Sequence, residues 1–434
     1  GNPWLKLLVI ECIVLASPST HAPSIMGFLG SLLKSVVATL ALLVISLFSI
    51  GKVKPELLLL IPHIGFIVQH IFGGQHIPPF FDNELFLPGN FRTWVKDKDV
   101  IVATGVKSGT AWMCYCSHAI RTKGVDSELG YTDIMYSTPQ MELKQFPGQT
   151  WAQRAEAYNT TRLDNGKLLK DYWDHPSYPF RVYKSHCTPD ETVGGDPFSN
   201  VLPVKKYPNV KYIVSVRNGL EVGRSLHRYF NSFDPWVREM WGGFPPTSEN
   251  VEDTVKDLLP GGNLQGFYFE YVKAWWPLRG EKNVLMMHYS DMVKDGRSLV
   301  LKLAKFLEVD LTEDETDKVV QMCSFAHMKE NKHLFDYKQP LLPNHPPLMI
   351  PGYFANNEGQ TGSASQAQMS KDMTEKWRKA EEEHFADADG TLLCWVRKGD
   401  VCLGNSGTSA ENQDGGDVAA PSTERKAAGA RPEL

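Results

Sequence analysis

The segment that most constrains the fold is residues 99–112, where a short β-branched run is followed at once by a tight turn and a helix-like stretch. Val100–Ala103 is apolar and of strand length, which is typical of a strand buried in a parallel sheet. The chain then turns at Gly105 and continues into a helical pattern over 111–120. A strand, a turn and a helix start present a row of backbone N–H groups, here beside Lys107. This arrangement predicts a binding site for a phosphate or sulfate group.

The turn differs from the phosphate-binding loop of common kinases and NTPases. That loop ends in Gly-Lys-Ser/Thr, whereas here Gly109 follows Lys107 and no glycine lies five residues before the lysine. A nucleotide kinase, in which Lys107 would meet ATP and magnesium, is therefore disfavoured, and no acidic metal-binding partner lies in the expected place. Because strand–glycine–helix turns occur in every α/β domain, an ordinary connection is the other alternative.

Three further runs have the same layout as the first, and each ends in polar residues. They cover 180–184, 210–216 and 283–289. In an open α/β sheet, ligands bind outside the carboxyl ends of parallel strands. The residues predicted to gather at that edge are Lys107, Lys184, His186, Arg217 and Tyr289. We therefore predict an α/β protein with a P-loop-like three-layer fold, a central parallel sheet and helices on both of its faces.

At these positions the chain resembles the cytosolic-type sulfotransferases that use PAPS (3′-phosphoadenosine 5′-phosphosulfate). Residues 104–112, Thr-Gly-Val-Lys-Ser-Gly-Thr-Ala-Trp, are similar to the loop that holds the 5′-phosphosulfate in that family. Arg217, with Ser225 eight positions on, looks like its 3′-phosphate clamp. Residues 183–186, Tyr-Lys-Ser-His, are similar to the strand that carries its catalytic histidine.

Two later segments extend the resemblance. Residues 323–329, Cys-Ser-Phe-Ala-His-Met-Lys, and residues 397–399, Arg-Lys-Gly, resemble the parts of the family that close over the adenosine and its 3′-phosphate. The similarity runs from about residue 77 to about residue 328 and resumes at Arg397. Trp112 and Phe325 would sandwich the adenine, although both types of residue are also ordinary in helix packing.

The resemblance implies a PAPS-dependent enzyme that moves a sulfuryl group to a hydroxyl or amine of a small-molecule, lipid or glycan acceptor, without a metal. Lys107 would be the cation at the bridging oxygen, Lys184 would help hold the moving group, and His186 would be the general base. Histidine suits that role because its unperturbed pKa is about 6.5. The implied PAPS-binding residues are Lys107, Ser108, Gly109, Thr110, Ala111, Trp112, Arg217, Ser225, Tyr289, Ser324, Phe325, Met328, Arg397, Lys398 and Gly399.

Several features depart from the family pattern. Gly105-Val106 stands where the family usually has Tyr-Pro, which removes a fixed φ angle from the loop. After Gly399 the usual Gly-Asp-Trp-Lys-Asn continuation is missing, and we find no match to the dimerisation segment of cytosolic members. Residues 331–396 form a long insertion or lid, with a helix predicted over 370–385. A catalytically silent, membrane-attached protein that binds PAP (the desulfated product) or PAPS is therefore the alternative to the enzyme.

The front of the chain is apolar. Residues 26–50 are nearly all apolar apart from Lys34, and residues 57–72 are apolar again. A membrane helix needs about 20 apolar residues. We therefore expect a single-pass helix within an anchor region over 26–74. Lysines on both sides leave the orientation open between a cytoplasmic domain and one in the Golgi or ER lumen. Because the chain begins with Gly1 rather than Met, residues 1–25 are expected to be a fragmentary or non-native leader.

Composition bounds the remaining possibilities. A net charge of −5 over 434 residues argues against nucleic acid as a partner. The seven cysteines are odd in number, which favours mostly reduced thiols and the cytoplasm, whereas the sequon at Asn159 would be usable only in the lumen. No Cys/His spacing suggests zinc. The sulfotransferase domain is expected over 75–404, with acceptor-binding loops over 121–178 and 231–262 and a disordered tail over 405–434.

Overall fold

The structure is a computed structural model in which parts of the chain can be described. The described residues are 25–53, 90–125, 131–144, 149–190, 201–241, 243–338, 346–350, 369–387 and 390–403. Most of the predicted leader, the second apolar run over 57–72, the tail over 405–434 and much of the insertion (339–345, 351–368 and 388–389) lie outside them. The chain divides into two compact units, one formed by Gly1–Asp82, Leu143–Ala157 and Arg238–Phe244 and the other by the remaining residues.

The second unit contains a sheet of four strands, which are β1 (Val100–Ala103), β2 (Val182–Ser185), β3 (Lys211–Val216) and β4 (Val284–His288). The α-helices in the described ranges are α1 (Ile25–Val53), α2 (Phe91–Trp94), α3 (Thr110–Arg121), α4 (Ile134–Ser137), α5 (Trp151–Thr160), α6 (Gly219–Asn231), α7 (Pro235–Met240), α8 (Val251–Leu258), α9 (Phe269–Trp275), α10 (Tyr289–Met292), α11 (Gly296–Leu307), α12 (Glu313–Met322), α13 (Phe325–Glu330), α14 (Lys371–His384) and α15 (Thr391–Lys398). Short 3₁₀ helices cover Leu169–Tyr172, Gln265–Phe267, Trp276–Leu278, Lys332–Phe335 and Gly399–Cys402.

The four strands are all parallel, in the order β2-β1-β3-β4. Ala103, the last residue of β1, pairs with Ser185, the last of β2, and Val216 pairs with His288 at the ends of β3 and β4. Every residue of β1 and β2 is buried, as expected for strands covered by helices on both faces. The predicted α/β fold with a central parallel sheet is confirmed, and the carboxyl ends of the strands meet at one edge.

Helices α3 and α9 pack against the sheet and hold that edge in place. α3 follows β1 directly and packs on β1 and β2, with ten of its twelve residues buried. α9 reaches the sheet through Trp275, whose ring lies 6.0 Å from that of Tyr212 on β3. One turn earlier, the Tyr271 hydroxyl donates a hydrogen bond of 2.5 Å to the Ala103 carbonyl. This bond holds the end of β1, from which the predicted phosphate-binding turn starts.

The opposite end of the sheet is held by a buried ion pair. The Arg181 guanidinium, just before β2, donates to both carboxylate oxygens of Asp99, just before β1. Both side chains are more than nine-tenths buried. The same guanidinium lies 5.3 Å from the Trp173 ring. Since a buried pair is costly to break by removing one partner, this contact fixes the register in which β1 and β2 start.

Two predictions about the N-terminal and insertion segments have different outcomes. α1 is a continuous helix, but in the described ranges no helix is both long and apolar enough to cross a membrane. The predicted membrane helix therefore has no support, and the compartment of the domain stays a prediction. The helix expected over 370–385 is confirmed as α14, which begins after Ser370, whose hydroxyl accepts from the Met373 N–H.

One disulfide lies among the described cysteines, beside the mostly reduced thiols that the odd count favoured. Cys394 and Cys402 form a disulfide that joins α15 to the 3₁₀ helix after it. Their Cα atoms are 5.8 Å apart. The two cysteines are eight residues apart in the chain, a local pairing that the count of seven did not reveal. The described cysteines that are free are all buried, and they are Cys114, Cys116, Cys187 and Cys323.

Candidate active site

The turn between β1 and α3 is built from two residues in the left-handed region. Gly109 has a φ of 96°, and Lys107 has a φ of 56°. A Cβ on Gly109 would lie 3.3 Å from the Tyr289 ring, so a side chain there would be crowded by the end of β4. For lysine the left-handed region is sparsely populated, and such strain persists where the surrounding structure holds it and function uses it.

Hydrogen bonds to the sheet hold this turn in place. The Ser215 carbonyl, on β3, accepts from the Gly105 N–H at 3.0 Å, and the Ser215 hydroxyl donates to the Ser108 carbonyl at 2.6 Å. Across the turn, the hydroxyls of Thr104 and Thr110 are 2.6 Å apart. These bonds constrain the loop in which Gly105-Val106 stands in place of the Tyr-Pro that is usual in the family.

The ammonium of Lys107 is surrounded by positive charge and aromatic carbon. Its Nζ lies 4.2 Å from the centroid of the Tyr229 ring. Burial, and then the charges of Arg217, Arg228 and Lys184, lower the pKa of Lys107 to about 7. An ammonium with so low a pKa gains strongly from an anion beside it, which is the property expected of a phosphosulfate-binding lysine.

His186 follows β2, and its side chain contacts the turn between β1 and α3. Its Nδ1 lies 2.9 Å from the Thr104 carbonyl oxygen. Since a carbonyl oxygen can only accept, Nδ1 is the protonated nitrogen and Nε2 carries the lone pair. Burial, and then the charges of Lys184 and Lys107, lower the pKa of His186 to about 3. The side chain is therefore a neutral imidazole that can receive a proton at Nε2.

A polar network that the sequence analysis did not identify holds Lys184 and His186. The Lys184 Nζ donates to the Gln140 side-chain oxygen at 2.7 Å. The Gln140 amide donates to Glu142 Oε1 at 2.9 Å, and the same oxygen accepts from the His186 backbone N–H at 2.9 Å. Burial lowers the pKa of Lys184 to about 8, against the opposing effect of Glu142. The buried carboxylate therefore links the lysine and the histidine.

Arg217 and Ser225 lie on the β3–α6 side of the same edge. The Arg217 Nε donates to Glu221 at 2.8 Å, and the guanidinium carbon lies 4.6 Å from the centroid of the Tyr289 ring. This contact leaves the two Nη atoms, the planar fork that suits a phosphate, as the outer part of the side chain. Ser225 is buried on α6, one turn after Glu221 and one turn before Tyr229, so these three residues share a helix face.

The strands thus bring the two predicted binding regions together. Tyr289, directly after β4, lies against Gly109 on one side and Arg217 on the other. Trp112 is also close, because its ring centroid is 6.2 Å from that of Tyr289. The Trp112 Nε1 donates to the Cys323 carbonyl at 2.8 Å, which joins α3 to the segment around α13.

The predicted adenosine-binding residues of the segment 323–329 lie on and around α13. Ser324 caps α13, its hydroxyl accepting from the backbone N–H three residues on, and Met328 is buried beneath. Phe325 is 40% exposed, so part of its side chain is accessible to a ligand.

The last predicted segment, 397–399, is brought only partly to the site. Gly399, with a φ of 79°, packs so closely on α10 that an added Cβ would overlap the Asp291 carboxylate. The Arg397 Nε instead donates to the buried Glu381 of α14 at 2.9 Å. Lys398 is exposed. The predicted role of Arg397 at a phosphate therefore competes with an ion pair that the sequence motif did not indicate.

As a whole, the donor set fits an anionic nucleotide. Two lysines and an arginine surround one edge of the sheet, a turn offers backbone N–H groups there, and a tryptophan and an exposed phenylalanine lie to one side. Cations matched to phosphate and a flat apolar surface matched to a base are the two features that a nucleotide requires. In the part of the chain that the structure describes, we find no group of three His, Cys, Asp or Glu side chains placed to hold a metal ion.

Comparisons with known proteins agree with this chemistry. A family model described as the sulfotransferase domain matches residues 97–389. The 3-beta-hydroxysteroid sulfotransferase of Cavia porcellus is 27% identical over 321 residues, which cover 73% of this chain and 93% of that protein. The amine sulfotransferase of Oryctolagus cuniculus is 27% identical over 235 residues, or 54% of this chain and 64% of that one. In fold, a mouse sulfotransferase solved with PAP aligns with a TM-score of 0.50 at 19% identity, covering 76% of this chain and 95% of that one.

Proposed function

The chain belongs to the sulfotransferase family and is a PAPS-dependent enzyme, and we propose that His186 is the general base with which it sulfates a hydroxyl or amine. The acceptor would be a small molecule, a lipid or a glycan. The observation that carries the proposal is the 2.9 Å contact between the His186 Nδ1 and the Thr104 carbonyl. It fixes the tautomer in which Nε2, the outer nitrogen, has the lone pair that takes the acceptor's proton.

PAPS supplies an activated sulfuryl group, whose bond to the bridging oxygen breaks as the acceptor oxygen or nitrogen bonds to sulfur. The chain's residues would stabilise the charge that this exchange moves. Lys107 would hold the bridging oxygen, where negative charge grows, and Lys184 would hold the oxygens of the moving group. Their buried ammonium groups, with pKa values of about 7 and about 8, would become more firmly protonated beside such an anion.

The basicity of His186 would change with the donor in place. In the free protein, burial and the positive charges of Lys184 and Lys107 hold its pKa at about 3. A bound phosphosulfate would offset those two charges and so raise the pKa of the imidazole above its value in the free protein, whereas the effect of burial would remain. His186 would then be neutral before the reaction and basic enough to accept the proton during it. The base would therefore be more effective with the donor bound than without it.

The proposal is tested with the full chain, labelled PAPS and a panel of phenols, alcohols, steroids and amines. His186→Ala should lower transfer at least about 100-fold, which is the usual contribution of general-base catalysis, while PAP binding is retained in calorimetry. His333→Ala, at an exposed position on a 3₁₀ helix, is the matched control and should transfer sulfate like the wild type.

Two results would contradict the proposal in different ways. Turnover retained in the His186→Ala variant would remove His186 as the base. If the wild-type chain binds PAP but sulfates no member of the panel, the catalytically silent binding protein is favoured.

A further inference from the structure

The face of α6 beside the candidate active site carries two arginines that no step of the proposed reaction uses. Arg224 and Arg228 are one helical turn apart, so they lie on the same side of α6. Both line a cavity of about 420 Å³ between α6 and the start of α8. The other lining residues are His227, Glu249, Asn250 and Val251.

Arg228 is half-buried, and one of its guanidinium nitrogens has no partner. Its Nε is buried and has no hydrogen-bond partner, and in the described part of the chain no carboxylate pairs with its guanidinium. A buried charged nitrogen without a partner is unfavourable, because the group has given up its water and received nothing in exchange. An anion in the cavity would supply the missing partner.

The same arginine connects the cavity to the reaction centre. Its charge is among those that lower the pKa of Lys107, so the two cations are near each other. Its neighbour in the chain, Tyr229, lies under the Lys107 ammonium at 4.2 Å. Arg228 therefore lies in the wall of the cavity and within electrostatic reach of Lys107.

The cavity as a whole is positive. Arg224 is 8% exposed, and burial, together with the charges of Arg228 and Arg217, lowers its pKa. The opposite wall is the start of the eight-residue helix α8, where the Asn250 side chain accepts from the Glu252 N–H and the first turn carries Glu252 and Asp253. Glu249 supplies the negative charge of the lining, and burial lowers the pKa of His227, so that this side chain is neutral. Among the residues that line the cavity, two guanidinium groups outnumber one carboxylate.

We propose that this cavity binds a carboxylate or sulfate group of the acceptor, so that the enzyme prefers acceptors that are themselves negatively charged. The inference rests on the proposed function, because it places the anionic group in the cavity while the acceptor hydroxyl meets His186. Arg228 would determine specificity by pairing with that group. A second phosphate of the donor is the competing occupant, which the test below separates.

The first test uses two phenols that differ in charge alone, 4-hydroxyphenylacetate and 4-hydroxyphenylacetamide. The wild-type chain should sulfate the acid with a kcat/KM at least about tenfold above that of the amide. Arg228→Met should bring this ratio close to one, mainly through KM for the acid, and Arg228→Lys should restore part of the preference. Arg92→Met, at an exposed ion pair, is the control and should keep the wild-type ratio.

A second measurement keeps the inference testable if neither phenol is sulfated. In calorimetry, 4-hydroxyphenylacetate should bind the PAP-loaded protein, and Arg228→Met should weaken this binding at least about tenfold. If the acid binds in a way that depends on Arg228 but is not sulfated, the result would count against the proposed function. It would not count against the assignment of the cavity as an anion site.

Three results would overturn the assignment of the cavity. The first is equal kcat/KM for the acid and the amide in the wild type. The second is an equal loss for both phenols in Arg228→Met. The third is a tenfold loss of PAP affinity in Arg228→Met, because the cavity would then serve the donor rather than the acceptor.

Discussion

The lowered pKa of Lys107 predicts that binding of the nucleotide takes up a proton. In the free protein, burial and three neighbouring cations hold that pKa at about 7, so that about half of the molecules carry a neutral amine at pH 7. A phosphate placed against Nζ favours the ammonium and raises the pKa in the complex. Binding is therefore strongest at low pH and weakens as the pH rises above about 7, the free-state value.

The size of the effect follows from that value. If the pKa in the complex lies above about 10, the dissociation constant of PAP should rise about 75-fold between about pH 6.5 and about pH 9, or about 2.5 kcal/mol. Lys184, with a pKa of about 8, acts in the same direction and should add up to about tenfold at the upper end. The phosphates of PAP lose their last protons near about pH 6, so they contribute little over this range.

Calorimetry of PAP binding, repeated in buffers of different ionisation enthalpy, measures the proton directly. At about pH 8 the wild type should take up about 0.9 proton at Lys107, in addition to the share of Lys184. Lys107→Arg should abolish the proton uptake at position 107, because a guanidinium stays charged over this pH range. Lys305→Arg, at an exposed position on α11, should change nothing. An uptake that is the same in wild type and Lys107→Arg, or an affinity that is flat from about pH 7 to about pH 9, would refute the reasoning.

Two further substitutions test the surroundings of the site. Glu142→Gln keeps an oxygen for the His186 N–H but removes the charge that raises the pKa of Lys184. The alkaline limb of the pH profile of kcat/KM should therefore move to lower pH. A limb that stays in place would contradict this role of Glu142. Gly399→Ala adds a methyl group that overlaps the Asp291 carboxylate at a left-handed φ, so it should destabilise the fold by about 1–3 kcal/mol and weaken PAP binding, measured by thermal unfolding with and without PAP. Gly280→Ala, where a Cβ meets open space, is the control, and an equal loss of Tm in both variants would show that Gly399 is not special.

The positions of the strands could be predicted because each is short, apolar and followed by polar residues. Those runs placed Lys184, Arg217 and Tyr289 at the ends of β2, β3 and β4, where the structure has them. The sequence pattern did not predict the backbone conformation of the turn between β1 and α3. Lys107 adopts a left-handed φ that residue type alone would not suggest, because lysine has no intrinsic preference for it.

The surroundings of the site depend on contacts between distant residues, which single-sequence patterns do not contain. Glu142 comes 44 positions before the His186 whose N–H it binds, in a stretch without helical or strand periodicity. Arg397 matches a family motif, yet Glu381 of α14 engages its guanidinium. The pairing is set by how α14 and α15 pack, and no local spacing rule expresses it.

One signal in the sequence was available for the acceptor side, and it is the four-residue spacing along α6. Ser225 was predicted as a phosphate ligand, so Tyr229 one turn later had to face the same cleft, and Arg224 and Arg228 had to follow on the neighbouring flank. We propose that the residues at the strand ends hold the donor, which is common to the family. The flank of α6 is separate from those strand ends. A substitution there can change whether the enzyme prefers charged or neutral acceptors without disturbing the donor site. Arg228 therefore tests, at one position, whether acceptor choice in this enzyme is electrostatic.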